Sequence, residues 1–226
     1  MKTIQHLASA AVASLLLAAP ALAVDTASIT FAQFTQQNTN KVAQYGATGT
    51  GNTLTIADAS AFLVVTAYGP PGVYNSTMSL AASSSSPVVD TGPQFEQGGW
   101  NGQMSFVNGI NQLTVAFTNA IFNFDGSGGS GSLISTDPIN FINYTSDLMS
   151  LPAFEFRNFS LAFTAITPPF TIGNDGFGSA FDSNVAGSFA GSAAVPEPAS
   201  WAMMLIGFGG IGVLARRRGG MVTVAA

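Results

Sequence analysis

Cysteine is absent from the 226 residues. No disulfide can staple the fold, and thiol nucleophiles and thiolate metal sites are excluded. Histidine is almost as scarce. The single one, His6, lies in the apolar stretch at the N-terminus, so the chain beyond it cannot form a Ser-His-Asp or Cys-His arrangement, a His-ligated zinc site or a histidine general base. Positive charge is nearly missing as well. Between Val24 and Ala194, ten acidic side chains stand against Lys41 and Arg157 alone, which excludes nucleic acid as a partner, because binding phosphate needs clustered Lys and Arg. Amphipathic helical patterning is also sparse; the segment Ser146-Asp147-Leu148-Met149 before Pro152 is long enough for one turn.

Two apolar segments frame the chain. Lys2 precedes a run of Ala, Val, Leu and Ser from Leu7 to Ala19, and after Pro20 comes Ala21-Leu22-Ala23. A basic start, a short apolar core and small residues at Ala21 and Ala23 predict a signal helix cut by signal peptidase after Ala23, leaving Val24 as the mature N-terminus. The run is shorter than the roughly 20 residues a span needs.

The second apolar segment follows Val195-Pro196-Glu197-Pro198 and Ala199-Ser200, runs from Trp201-Ala202 to Ala215, and stops at Arg216-Arg217-Arg218. Pro196 and Pro198 prevent a helix from starting earlier. The spacing predicts one transmembrane helix over 201–215, with Trp201 at the interface and the arginines on the cytoplasmic side. Its length of about 22 Å at 1.5 Å per residue is less than the roughly 30 Å hydrocarbon core, a shortfall met by snorkelling arginines and local thinning.

Pro196-Glu197-Pro198, Trp201-Ala202, a Gly-rich apolar stretch and an arginine cluster together resemble the PEPxxWA variant of the PEP-CTERM sorting signal. The resemblance covers about the last 30 residues; Gly219 to Ala226 extend beyond the arginines, where such tails often end. It implies recognition by exosortase, an integral-membrane enzyme of Gram-negative bacteria that make extracellular polysaccharide. It also implies an inner-membrane-anchored precursor, then a place at the cell surface or outside the cell. Tails of this type also carry the label ice-binding protein C-terminal domain, which describes the tail alone.

The rest is read as signal peptide 1–23, extracytoplasmic β domain 24–186, flexible linker 187–194 of Gly, Ala, Ser and one Phe, and sorting tail 195–226. Strand periodicity is clearest at Leu113, Val115 and Phe117, which share one face, and at Phe122 and Phe124. The run from Ala153 to Ile166 changes phase between Phe154/Phe156 and Phe159/Leu161/Phe163, predicting a bulge near Arg157-Asn158. Weaker strands are expected at 29–34, 54–57, 62–67, 77–81, 104–107 and 133–135. Asn108-Gly109 reads as a hairpin turn. Many short strands with Gly-, Pro- and Asn-rich turns predict a mainly β fold, an antiparallel sandwich or jelly-roll. Its expected core holds Leu113, Val115, Phe117, Phe122, Phe159, Leu161 and Phe163.

Site chemistry is thin. Carboxylate pairs such as Asp147 with Glu155, or Asp175 with Asp182, could in principle flank a glycosidic bond, but acidic pairs occur on any acidic surface, and no enzyme is expected. Asp125, Asp175 and Asp182 in glycine-rich loops are weak calcium candidates, without an EF-hand or nonapeptide pattern; no metal or other cofactor is expected. The triplets at Asn75, Asn143 and Asn158 read as chance in a chain rich in Asn, Ser and Thr. The expected role is a structural surface protein in an exopolysaccharide or biofilm setting. The alternative is a carbohydrate-binding module using Trp100, Tyr68 or Tyr74 as stacking platforms on extracellular polysaccharide. Ice binding finds only Thr53-Leu54-Thr55, with no repeat to extend it.

Overall fold

The computed structural model describes residues 28–137 and 141–192. The signal segment with Ala21, Ala23 and Val24, and the tail with its proposed helix 201–215 and Arg216 to Arg218, lie outside the described residues. Among the described residues there are eleven strands and no helix: β1 (Ser28–Gln36), β2 (Ala43–Ala47), β3 (Asn52–Val65), β4 (Gly72–Ser84), β5 (Val89–Asp90), β6 (Gln94–Asn108), β7 (Ile110–Asp125), β8 (Gly131–Asp137), β9 (Ile142–Thr145), β10 (Phe156–Thr167) and β11 (Phe181–Ser192).

Every pairing is antiparallel. β1, β3, β4, β6, β7, β8, β10 and β11 each pair with the next in that order, and β11 pairs back onto β1 from Ser28↔Ser192 to Thr35↔Ala186. The result is a closed, eight-stranded up-and-down barrel. This corrects the sandwich or jelly-roll expectation while keeping the antiparallel β class. The strands are long, up to 16 residues in β7, and bulges bend them: the register shifts between Ile56 and Ala59 in β3, and across Gln97 to Gly102 where β6 meets β7. Bent strands of this length curl one sheet around its core, and closure removes the exposed edges that an open sheet must shield. β2 continues the lane of β1 by pairing with β3 and β11, and β9 continues the lane of β8 by pairing with β7.

The alternation that makes these segments strands also fills the barrel. Inward positions carry Phe31 and Phe34, Leu54, Ile56 and Leu63, Met78 and Leu80, Trp100, Met104 and Phe106, and all seven expected core residues, every one buried. An eight-stranded barrel is just wide enough to be packed solid by side chains. Here aromatic rings do much of that filling: Phe122 lies 4.2 Å from Phe124 and 4.9 Å from Phe163 between ring centroids. At roughly 25 cal/mol per Å² of apolar surface removed from water, such rings supply the stability that a cysteine-free chain cannot take from cross-links. Between Val73 and Val107 near one rim, the outward positions of β4 and β6 hold Asn75, Thr77, Ser79, Ala81, Asn101, Gln103 and Ser105. An apolar interior behind a polar wall is the reverse of an outer-membrane barrel, whose lipid-facing band is apolar.

Three local expectations change. β10 pairs without interruption from Phe156 to Thr164, so no bulge falls at Arg157-Asn158. Its irregularity lies between Thr164 and Thr167, where Ala165 takes φ 54°, and the phase change arises because Phe154 precedes the strand and is buried from the loop. Asp147 to Met149 form bends instead of a helical turn, with the Ser146 hydroxyl accepting from the backbone N–H groups of Leu148 and Met149. Finally, the stretch expected to be a flexible linker from Gly187 is barrel wall as far as Ser192.

Candidate functional site

Up-and-down connectivity sorts the loops to two ends. The turns β2–β3, β4–β6, β7–β8 and β10–β11 gather at one, called here the far end. The turns β3–β4, β6–β7 and β9–β10 gather at the other with both chain ends, since Ser28 pairs with Ser192. The segment bearing Pro196, Glu197, Pro198, Trp201 and Ala202 therefore leaves the barrel at this exit end, directly after a central strand.

The far end is sealed. Residues 168–180 fold over it, with Phe170 stacked 3.6 Å from Phe124. Beneath them a buried polar cluster is fully paired: the Tyr45 hydroxyl donates to Gln97 Oε1 at 2.7 Å, and Gln97 Nε2 donates to Asn52 Oδ1 and to the Ser86 carbonyl. Asn52 Nδ2 donates to the Gly46 and Gly178 carbonyls, and the Gly178 N–H returns a bond to Asn52 Oδ1. Burial pushes the Tyr45 phenol above its ordinary range. Such a cluster costs stability unless every member is satisfied, and here it ties three loops together. Asn52 and Gln97 escaped sequence reading because isolated amides on strands carry no signal of burial.

The candidate ligands behave as structural groups. The Asp125 carboxylate accepts from Ser127, Gly129 and Ser130 of its own turn, at 2.5 to 3.3 Å. The Ser127 and Ser130 hydroxyls chiefly hold its pKa well below the usual carboxylate range; burial opposes them, and the backbone N–H groups of Gly129 and Ser127 add smaller lowering effects. Those bonds occupy the lone pairs that a calcium ion would need. Asp175 Oδ1 accepts from the Phe177 N–H, and Asp182 is exposed on β11. Among the described residues no three acidic or histidine side chains converge on one point. Asp147 accepts from the Asn111 N–H at the exit end, and Glu155 is held there by its own N–H to the Ser192 carbonyl.

Asp125→Asn is expected to lower stability by about 1 kcal/mol at pH 7, since bonds to a charged acceptor are worth more than bonds to an amide, discounted for exposure. A depressed folded-state pKa gives stability that is present above the unfolded carboxylate value of about 3.9 and is lost as pH falls through the folded value. The gap between parent and variant in urea unfolding should therefore be constant from pH 5 to 7 and shrink below about pH 4. A gap independent of pH down to 2 would show that the charge contributes nothing.

The aromatic candidates for sugar stacking fare unevenly. Trp100 is fully buried, 5.7 Å from Tyr45 and 5.9 Å from Phe122 between ring centroids, so it cannot meet a ligand. Tyr68 packs on Phe154, and the Tyr74 hydroxyl donates to the Pro70 carbonyl. Thr53 and Thr55 face outward beside Ser83 and Ala81 of β4 and Gly46 and Gln44 of β2, which gives no regular threonine array. Two shallow grooves mark the outer wall. One of about 330 Å³ runs between Gln36, Thr39, Thr164 and Asn184; the other, of about 370 Å³, lies between Asn101, Thr118, Asn143 and the partly exposed ring of Phe141.

Fold and exit geometry thus define a solid barrel with a polar wall, whose last strand hands the chain on at one rim. Just beyond that strand, residues 194–218 match the family model described as the PEP-CTERM protein-sorting motif. The chain carries that signal, which marks it for export, for processing by exosortase and for membrane-associated sorting to the cell surface. No curated protein and no solved structure matches the chain.

Proposed function

We propose that the protein is a non-catalytic surface component. Its signal peptide is removed after Ala23, the helix 201–215 anchors the precursor in the inner membrane with Arg216, Arg217 and Arg218 inside, and exosortase then cuts near Pro196-Glu197-Pro198. The freed barrel serves as a structural element of an extracellular polysaccharide or biofilm layer. The observation that carries this reading is the position of the sorting motif, which begins two residues beyond the last paired residue, Ser192. An interior filled with aromatic side chains supports the structural reading. Carbohydrate binding is the second reading, and it now rests on the groove beside Phe141, where one ring and the amides of Asn101 and Asn143 offer stacking and hydrogen bonds to a neutral sugar.

Mass spectrometry of the termini in a host with and without exosortase tests the scheme. With the enzyme, the chain should start at Val24 and end near Pro196 to Pro198; without it, the same start should accompany an intact Ala226 in the membrane fraction. Intact Met1 on the exported protein, or the same C-terminus in both hosts, would sink the processing scheme.

A further inference from the structure

The barrel is polarised along its axis. Among the described residues, nine large hydrophobic side chains are substantially exposed; five of them sit at strand termini of the exit end and a sixth within three residues of one. Ile29 is the second residue of β1, Val73 the second of β4, Val107 the penultimate of β6, Ile110 the first of β7 and Phe156 the first of β10; Phe62 lies three residues before the end of β3. Their exposure runs from 40 to 65 %. They belong to six of the eight barrel strands and so form a collar around one rim. Acidic groups collect at the other: Asp90, Glu96, Asp125 and Asp175 lie on the far-end connections or at the strand termini beside them, and Asp182 follows the first residue of β11. Among the described residues, Asp137, the register partner of Arg157, lies at the exit end with Asp147, Glu155 and Arg157 itself.

We infer that this collar is a lipid-contact surface: in the anchored precursor the exit rim rests on the membrane and dips Ile29, Val73, Val107, Ile110 and Phe156 into the interface. The inference rests on the anchoring read under Proposed function. Chain length selects the occupant. Eight residues, 193–200, separate the end of β11 from Trp201, and fully extended they reach no more than about 29 Å. The rim therefore stays close to the bilayer while the tail is intact. An exposed apolar ring around the point where the chain leaves for the membrane suits the headgroup boundary, which takes up apolar side chains. Charge does not drive the contact, because Asp147 and Glu155 sit at the same rim. A zwitterionic surface therefore suffices. Resting there, the barrel would hold Pro196-Glu197-Pro198 at the depth an integral-membrane enzyme can reach.

The absence of cysteine makes the test direct. Single substitutions Val73→Cys, Ile110→Cys, Val89→Cys at the far end and Ile206→Cys in the apolar tail are labelled with a polarity-sensitive fluorophore, on the full chain in phosphatidylcholine vesicles. The expected result is a blue shift, with quenching by lipid-borne nitroxide, at 73, 110 and 206 but not at 89. Labels at 73 and 110 that stay in water while 206 is in lipid would overturn the collar and leave the anchor standing. A label at 206 that stays in water would overturn the anchor and the collar with it. Blue shifts at 73 and 110 without lipid quenching, together with cross-links between two copies at those positions, would assign the rim to a second molecule and overturn the lipid contact.

Discussion

A chain ending at Ala193 is expected to fold, to unfold within about 2 °C of the full-length protein, and to be wholly absent from the membrane fraction. The shift allowed corresponds to less than about 1 kcal/mol for a domain of this size. Residues 27–193 form one compact unit, and the barrel closes at Ser28↔Ser192 without help from anything beyond. The buried rings from Phe31 to Phe189 all lie inside that span. The tail is then an address, and its loss removes sorting completely while leaving packing untouched. Circular dichroism melting and fractionation of cells expressing the two chains measure both halves of the claim. A truncated chain that melts well below the full-length protein would make the tail part of the fold and remove the physical separation on which the sorting reading depends.

The sorting motif at 194–218 was legible because its chemistry is local. A Pro-Glu-Pro break, a tryptophan, an apolar run and three arginines stand next to each other, and the motif reads without knowledge of any fold. Strands whose faces differ sharply were legible too: β7 announces itself through Leu113, Val115, Phe117, Phe122 and Phe124. The joins between these pieces were not. The runs at 54–57 and 62–67 are one strand, β3, because Asp58 takes φ 46° at a bulge and restores the inward phase at Ala59. The runs around Val115 and Phe122 merge in β7 through Asn119, at φ 57°. Barrel closure is a pairing between the first and last strands, about 160 positions apart, and leaves no mark in either one alone. The site suffered in the same way. Trp100 stayed open between core residue and sugar platform because a tryptophan between glycines and amides gives no sign of which face it takes, and pairing with β7 turns it inward against Tyr45. The exit-end collar is invisible in sequence, being assembled from single residues at the ends of separate strands.

Gly187→Val is expected to lower stability by about 3 kcal/mol, at the upper end of ordinary overpacking and equivalent to a fall of about 6–12 °C in melting temperature. β11 reads as linker because Gly187, Ser188, Ala190, Gly191 and Ser192 are small and poor in strand propensity. The structure shows why they are small. A Cβ added at Gly187 would stand 2.6 Å from Phe34 Cε1, 2.7 Å from Leu161 Cδ2 and 2.7 Å from the Ser160 carbonyl oxygen. At Gly191 it would meet the Phe154 ring at 2.3 Å. The glycines are the space into which the neighbouring aromatic and leucine side chains pack, and the carbonyl contact at Gly187 cannot be relieved by changing a rotamer. Ser188→Val is the matching control. Ser188 points outward from the same strand, between Gln33 of β1 and Ser160 of β10, and a branched residue there is expected to change stability by no more than about 0.5 kcal/mol. Chemical denaturation of both variants in the chain ending at Ala193 separates wall from tether: a closing strand makes the inward valine costly and the outward one neutral, whereas a linker tolerates both. Equal, negligible effects would remove β11 from the barrel and reopen the sheet.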